Sequence, residues 1–435
     1  MRKVVEKKMK NNRREFIKTS ILASTGLSLG FTSLTTFGRP MGAKVRLAII
    51  GTGSRGRFLM EHLLNYQANN AVDYDLVAIC DNYQPSLEEA QNICGQYKVT
   101  PKVYNDYYRL MNDSPVDGVI IATPLHQHAH ITIDCLNKGI HVLCEKSMAR
   151  TLSDTRAMYD ASIGSGSILL VGHQRMFNDK YLSAMDRIHK GEFGPVGQVR
   201  AYWHRNKDWR RPIPKDRPDL ERQLNWRLYK EYSAGLLTEL MSHQIQVSNW
   251  ALQQTPVSVQ ASGGIQFWND GREVPDNVAA VFTYADGSRC VYDSMSMNHN
   301  YGVEEHIIAD LATLKLESNQ LQWDKPNVTV DEPSITPMAQ MVEGIKNGES
   351  KATAIGGASW RPESGNSTGQ EPIYKGQKGD GSMEEMLAFV KFIQQKSAPA
   401  WMLREGYNAS IWTLLTEKAI DTGKAVTCPK KFIVE

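Results

Sequence analysis

A short run, Val45–Ile50, apolar except for Arg46 and half β-branched, leads directly into Gly51-Thr-Gly53-Ser-Arg-Gly56. No other feature restricts the fold of this chain as much. The run reads as a buried strand. Arg57 to Gln67 reads as a helix, with Phe58, Leu59, His62, Leu63 and Tyr66 at helical spacing. Asp75 to Cys80 reads as a second strand, ending at Asp81. A glycine-rich turn alone is common. A strand before it, a helix after it and an acid closing the next strand make the context of a dinucleotide-binding turn. Gly51 permits the tight turn, Gly53 lets the backbone approach a pyrophosphate, and Gly56 allows close helix–strand packing. Ser54 and Arg55 belong to the same loop, at a helix N-terminus whose free N–H groups face the phosphates. Asp81 is placed to accept hydrogen bonds from ribose hydroxyls and to repel a 2′-phosphate. NAD is therefore expected over NADP, with Arg55 and Arg57 weighing the other way.

The alternation continues. Val116 to Ala122 reads as a strand, followed by Thr123-Pro124 and a helix over about 126–138. Ile140 to Cys144 is a strand ending in Glu145-Lys146. Ser153 to Ser165 is a helix, and Ser167 to Val171 a strand leading to Gly172-His173-Gln174. Strands alternating with such helices imply a parallel, doubly wound sheet. After Gly191 the pattern changes. Val196–Arg205, Val257–Phe267, Val278–Tyr284, Arg289–Met295, Val303–Asp310 and Thr313–Glu317 read as strands, and Asp286-Gly287 marks a hairpin. The expected fold is α/β: an N-terminal Rossmann dinucleotide-binding domain over 44–172, then an α+β domain over 173–428 with a large, mostly antiparallel sheet. A helix over about 234–252 carries Glu239 and His243, four apart and so on one helical face. A plain surface pair is the alternative reading of these two residues.

Ile121-Ala-Thr-Pro124 with His128, and Gly139-Ile-His-Val-Leu-Cys-Glu145-Lys146, resemble the glucose–fructose oxidoreductase/inositol dehydrogenase family (Gfo/Idh/MocA) over about residues 44–428. The resemblance implies a nicotinamide-dependent enzyme acting on a sugar or glycoside, with a tightly bound cofactor. It implies that Thr123, His128, Glu145, Lys146 and Gln174 lie at the cofactor, and that the second sheet turns one face toward the nicotinamide. It also implies that His243 is the acid/base and that Glu239 orients or polarises it. Oxidising a carbinol releases a proton, which a histidine near its ordinary pKa can accept. The developing alkoxide needs a cation, and Lys146 at a strand end is the candidate. Three positions depart from the family pattern: Ser147 stands where proline is usual, Glu239 where aspartate is usual, and Gln246 where a second aspartate is usual. A redox-neutral glycosidase resembling glycoside hydrolase family 109 is the competing expectation. A homo-oligomer, dimer or tetramer, is also implied.

The first 38 residues hold eight basic and two acidic residues, while the rest of the chain holds 42 basic and 45 acidic ones. The body is thus mildly acidic, which argues against nucleic acid as a partner. Asn12-Arg13-Arg14-Glu15-Phe16-Ile17-Lys18 precedes a short, hydroxyl-rich apolar stretch and reads as a twin-arginine export signal. Export to the periplasm is expected, with no stable membrane span unless the signal stays uncleaved. Residues 350–382 read as a long insertion loop. His126, His128 and His130 lack the company a metal site needs, so no metal is expected. Trp203 to Arg211 mixes basic and aromatic residues and reads as a sugar-contacting loop or a plain surface loop. The six cysteines show no CxxC, and Cys80 and Cys144 are expected as packed thiols.

Overall fold

The structure, a computed structural model, describes residues 44–324, 370–376 and 379–434. The expected export signal and most of the expected insertion loop lie outside the described residues.

The first sheet grows from strands that, apart from the edge strand β3, are mostly buried. These are β1 (Val45–Ile50), β2 (Tyr74–Cys80), β3 (Lys102–Tyr104), β4 (Gly118–Ile121), β5 (His141–Glu145) and β6 (Leu169–Gly172). All pair in parallel, in the order β3-β2-β1-β4-β5-β6. The connecting helices are α1 (Ser54–Asn69), α2 (Gln84–Gln96), α3 (Tyr107–Asp113), α4 (His128–Asn137) and α5 (Leu152–Ser165). Helix α1 buries Leu59, Met60, Leu63 and Leu64. Each such side chain contributes about 1.5–3 kcal/mol of apolar burial. The register aligns the strand ends: Ile50 lies beside Cys80 and Ile121, Ile121 beside Cys144, and Glu145 beside Gly172. The residues that follow, Gly51, Asp81, Thr123, Lys146 and His173, therefore emerge along one edge. The strand order reverses between β1 and β4, where open α/β sheets bind ligands.

Helix α6 (Asp179–His189) leads into a second sheet, built from β7 (Val196–His204), β8 (Ser258–Gly264), β9 (Asn277–Thr283), β10 (Arg289–Met295), β11 (Val303–Ala309), β12 (Ala312–Lys315), β13 (Gln320–Trp323) and β14 (Gln370–Pro372). The order is β14-β13-β12-β11-β7-β10-β9-β8, antiparallel except between β7 and β10. Alternation along β10 buries Cys290, Tyr292 and Ser294 on one face. A short helix, α7 (Glu221–Leu224), and the wholly buried helix α8 (Ser242–Leu252) lie between β7 and β8. Two last helices, α9 (Ser382–Gln395) and α10 (Ala400–Thr422), pack back on the first sheet, α9 against β1 and β5 and α10 against β6 and α5. The described end of the expected insertion loop is ordered differently from that expectation: Gln370–Pro372 pairs with β13 and extends the sheet.

The expected helix over 234–252 is two segments. Leu237–Met241 forms a π-helical turn, and the α-helix starts only at Ser242. A π turn winds more loosely than an α turn, so residues four apart across it no longer stack as on a continuous α-helix.

Candidate active site

Gly51 holds φ +93°, and a Cβ there would come within 2.6 Å of the Ala122 carbonyl carbon and the Thr123 nitrogen. A Cβ on Gly56 would lie 1.9 Å from the Gly51 oxygen. A Cβ on Gly53 would meet nothing within 4 Å. That open side of Gly53 faces a cleft of about 810 Å³ between the two halves, lined by Gly51, Ser54, Arg55, Asp81, Thr123, Pro124 and His126 from one side and by Arg211, Trp226, Arg227 and Tyr232 from the other. Helix α1 begins without a side-chain cap and without an acid in its first turn. Its leading N–H groups are therefore free for an anion. The open flank of Gly53, the bare helix start and the elongated cleft fit a dinucleotide.

Asp81 lies in this cleft, but its carboxylate is already engaged. Oδ2 accepts from the Thr52 backbone N–H at 2.7 Å and the Thr52 hydroxyl at 3.2 Å, and Oδ1 accepts from the Tyr83 N–H at 2.8 Å. It braces the glycine loop as well as facing the cleft. Arg55 donates from Nε to Glu145 Oε1 at 2.6 Å. Arg57 pairs with Glu89 at 2.7 Å and donates to the Thr52 carbonyl. Both guanidinium charges are thus matched by carboxylates, which weakens the case for a 2′-phosphate.

Three residues expected at the cofactor, His128, Glu145 and Gln174, are not among those lining this cleft. His128 is buried, with Nδ1 2.9 Å from the Ser147 carbonyl and Nε2 3.0 Å from the Thr123 carbonyl, so it ties the strand-end turns together. Glu145 is occupied by Arg55. Gln174 lies outside the cleft lining, in a short 3-10 turn after β6, with a buried side-chain oxygen that has no hydrogen-bond partner. Thr123 keeps its place: it lines the cleft and its buried hydroxyl is likewise unpartnered.

Lys146 leaves the end of β5 and is partly buried. Its Nζ donates to the Glu239 carbonyl at 2.8 Å. The Lys146–Ser147 peptide is cis. The Glu239 carboxylate turns away from His243 and accepts from Arg227 Nε at 2.7 Å. Among the described residues no hydrogen bond joins Glu239 to His243, so the expected orienting contact is replaced by an ion pair with a cleft arginine. His243 is buried at the start of α8, its ring 5.8 Å from that of His173 and 5.8 Å from that of Trp203, with Nδ1 unpartnered. Lys146 thus neighbours both Glu239, whose carbonyl it binds, and His243, whose charged form it disfavours, in a cluster held by the end of β5, the π turn and the first turn of α8.

Desolvation is the largest single influence on each titratable group here. Burial, reinforced by the positive Lys146 and Arg175, holds His243 well below its ordinary 6.5. The same influences push His173 down to about 3. Burial also lowers Lys146, although Glu239 and Glu145 oppose it. Burial alone would raise Glu239, but Arg227 and Lys146 outweigh it and keep it ionised. Beneath the pocket, Arg175 is ion-paired with Glu305 at 2.9 Å and Glu317 at 2.6 Å and stacks on Trp203 at 5.4 Å.

Sequence reasoning did not single out His173. Its position immediately after β6, equivalent to that of Lys146 after β5, is the signal that marks it. Arg227 was weighed only as part of a loop, because nothing in the sequence pairs it with Glu239. The histidines around 126–130 diverge: His126 stacks on Tyr232 at 4.5 Å and His130 faces Tyr107 at 5.9 Å.

Residues 45–173 match the profile of an oxidoreductase family with an NAD-binding Rossmann fold, and residues 181–314 match the GFO/IDH/MocA C-terminal domain. The chain is 31% identical over 200 residues to a glycosyl hydrolase family 109 protein of Stenotrophomonas maltophilia, covering 44% of this chain and 42% of that protein. It is 28% identical over 211 residues to inositol 2-dehydrogenase of Salmonella typhimurium, covering 48% and 55%. The matches thus span about half the length of these curated relatives. Among solved structures, levoglucosan dehydrogenase in complex with NADH and levoglucosan superposes with a TM-score of 0.68 at 18% identity, covering 89% of this chain and 100% of that one. Myo-inositol 2-dehydrogenase from Lactobacillus plantarum does so with a TM-score of 0.62 at 18% identity, covering 89% and 100%. With both halves of its fold matched by the two profiles, this chain belongs to the Gfo/Idh/MocA oxidoreductase family.

Proposed function

We propose that this protein transfers a hydride between a hydroxyl-bearing carbon of a sugar or glycoside and a tightly bound NAD. The observation that carries this reading is the clustering of Lys146 with Glu239 and His243 at the carboxyl edge of the parallel sheet, where Arg227, the partner of Glu239, also lines the glycine-loop cleft. The cofactor, when bound, supplies the hydride acceptor. His243 is neutral at neutral pH, because burial and two nearby cations disfavour its charged form. A neutral imidazole can take the proton from the substrate hydroxyl. Lys146 holds the developing alkoxide, worth more in a desolvated site than in water. Glu239 and Glu145 favour the lysine's charge against burial and the nearby arginines.

The glycosidase-like relative supports a second reading, in which oxidation is transient and a glycosidic bond is cleaved without net NADH formation. One kinetic run separates the two. Purified full-length protein, NAD and a panel of nitrophenyl glycosides are mixed, and NADH absorbance and nitrophenol release are recorded together. NADH accumulating without nitrophenol supports the dehydrogenase. Catalytic nitrophenol release without NADH overturns it in favour of the glycosidase.

The protein acts in the periplasm in this reading, exported through residues 1–38, and assembles as a homo-oligomer. The basic run and paired Arg13-Arg14 support export. Val281, 39% exposed on β9, and Tyr301, 64% exposed in the turn before β11, support assembly. Cell fractionation of the Arg13→Lys/Arg14→Lys variant tests the first, and light scattering the second.

A further inference from the structure

Arg211 stands on an irregular stretch between β7 and α7, stiffened by Pro212, Pro214 and Pro218, whose rings fix φ. A single side chain holds both of its backbone polar groups. Asn225 Oδ1 accepts from the Arg211 N–H at 2.6 Å, and Asn225 Nδ2 donates to the Arg211 carbonyl at 3.2 Å. Asn225 is itself buried. The surrounding arginines are matched by acids: Arg210 by Glu221 and Asp270, Arg227 by Glu239, Arg57 by Glu89. Arg211 makes no ion pair among the described residues. Instead its Nη2 crosses the cleft from the second half and donates to Ser54 Oγ at 3.0 Å.

Ser54 is the first residue of α1, where the helix presents uncapped N–H groups and no acid. Partial burial, with Arg227 and Arg57 nearby, disfavours the charge on Arg211. A guanidinium without an acid partner among the described residues and a bare helix start thus meet beside Gly53, and both favour an anion between them.

We propose that Arg211 is a strap from the second half that closes on the pyrophosphate of the bound dinucleotide and slows its release. The clamp by Asn225 sets the strap in advance, so little ordering is required on binding. The proposal rests on the dinucleotide occupying the glycine-loop cleft.

The test uses full-length wild type, Arg211→Ala and Arg211→Lys, with matched thermal unfolding as the folding check. NADH, ADP and adenosine binding are measured by fluorescence titration and competition, and NADH release by stopped flow. Arg211→Ala is expected to weaken NADH and ADP about ten- to a hundredfold, as for one charge-assisted hydrogen bond. It is expected to speed NADH release similarly and to leave adenosine unchanged, with Arg211→Lys in between. Wild-type NADH affinity and release in Arg211→Ala overturns the strap alone. Equal weakening of adenosine and ADP also overturns it, because a deformed pocket rather than a lost phosphate contact is then responsible. Failure of the wild type to bind NADH or ADP removes the strap and the cofactor reading together.

Discussion

At the glycine-loop end of the cleft, recognition is built from backbone: the turn at Gly51, the open flank of Gly53 and the uncapped start of α1, with an exposed arginine standing over them. At the other end every actor is a side chain, with His243 buried and Lys146 and Glu239 partly buried. Lys146, Glu239 and His243 come from three separate segments, and their charges are compensated by Arg227 and by one another. The first end needs only local geometry and tolerates solvent. The second depends on exclusion of water, which makes each missing partner costly. Binding and chemistry are thus placed on parts of the fold with different sensitivities.

The largest effect should come from the chemical end. His243→Ala should lower kcat about 10²–10⁴-fold, the usual contribution of a general base. NADH affinity should stay near wild type, as read by fluorescence titration, and a parallel loss of NADH binding would break the separation of the two ends. Lys146→Met should cost about 10²–10³-fold in kcat, as for loss of one electrostatic stabiliser.

Two glycine substitutions sharpen the other end. Gly51→Ala forces a Cβ into the Ala122–Thr123 backbone at positive φ. It should cost about 1–3 kcal/mol or more in stability by thermal unfolding. Gly53→Ala places a Cβ in open space at φ −63°, so the melting temperature should hold while cofactor affinity drops. Equal melting losses in both would contradict a cleft-facing Gly53.

Arg227→Ala leaves the partly buried Glu239 carboxylate without its partner. A loss of about 1–3 kcal/mol is expected in denaturant unfolding, the cost of an unsatisfied buried group. Glu239→Gln in the same background should restore part of it.

The smallest effect is a slope. His173 and His243 are neutral in the folded protein, with His173 held at about 3 against 6.5 when unfolded. Their depressed pKa values mean that the unfolded chain takes up protons first as pH falls. Their contribution to stability is complete above pH 6.5 and is lost progressively as pH drops toward 3. A melting temperature followed from pH 7 to pH 4 should fall less steeply in His173→Gln than in wild type.

The parallel sheet, its strand ends and the glycine loop were legible in the sequence, because strand periodicity and glycine's special conformations act within a few residues. Lys146 and Thr123 were legible for the same reason: each directly follows a buried apolar run. The antiparallel sheet was legible as strands but not as an order, and β3, β13 and β14 were missed, being only three or four residues long. The partners at the site were not legible. Glu239 and His243 fit an i,i+4 rule that a π turn set aside, Glu145 was spent on Arg55, and His128 on two carbonyls. The sequence by itself determined which backbone could cradle a phosphate, since that is decided by neighbours along the chain. Only the tertiary structure decided which buried charge meets which, since a carboxylate removed from water pairs with whatever cation the packing brings within reach, however distant in the chain.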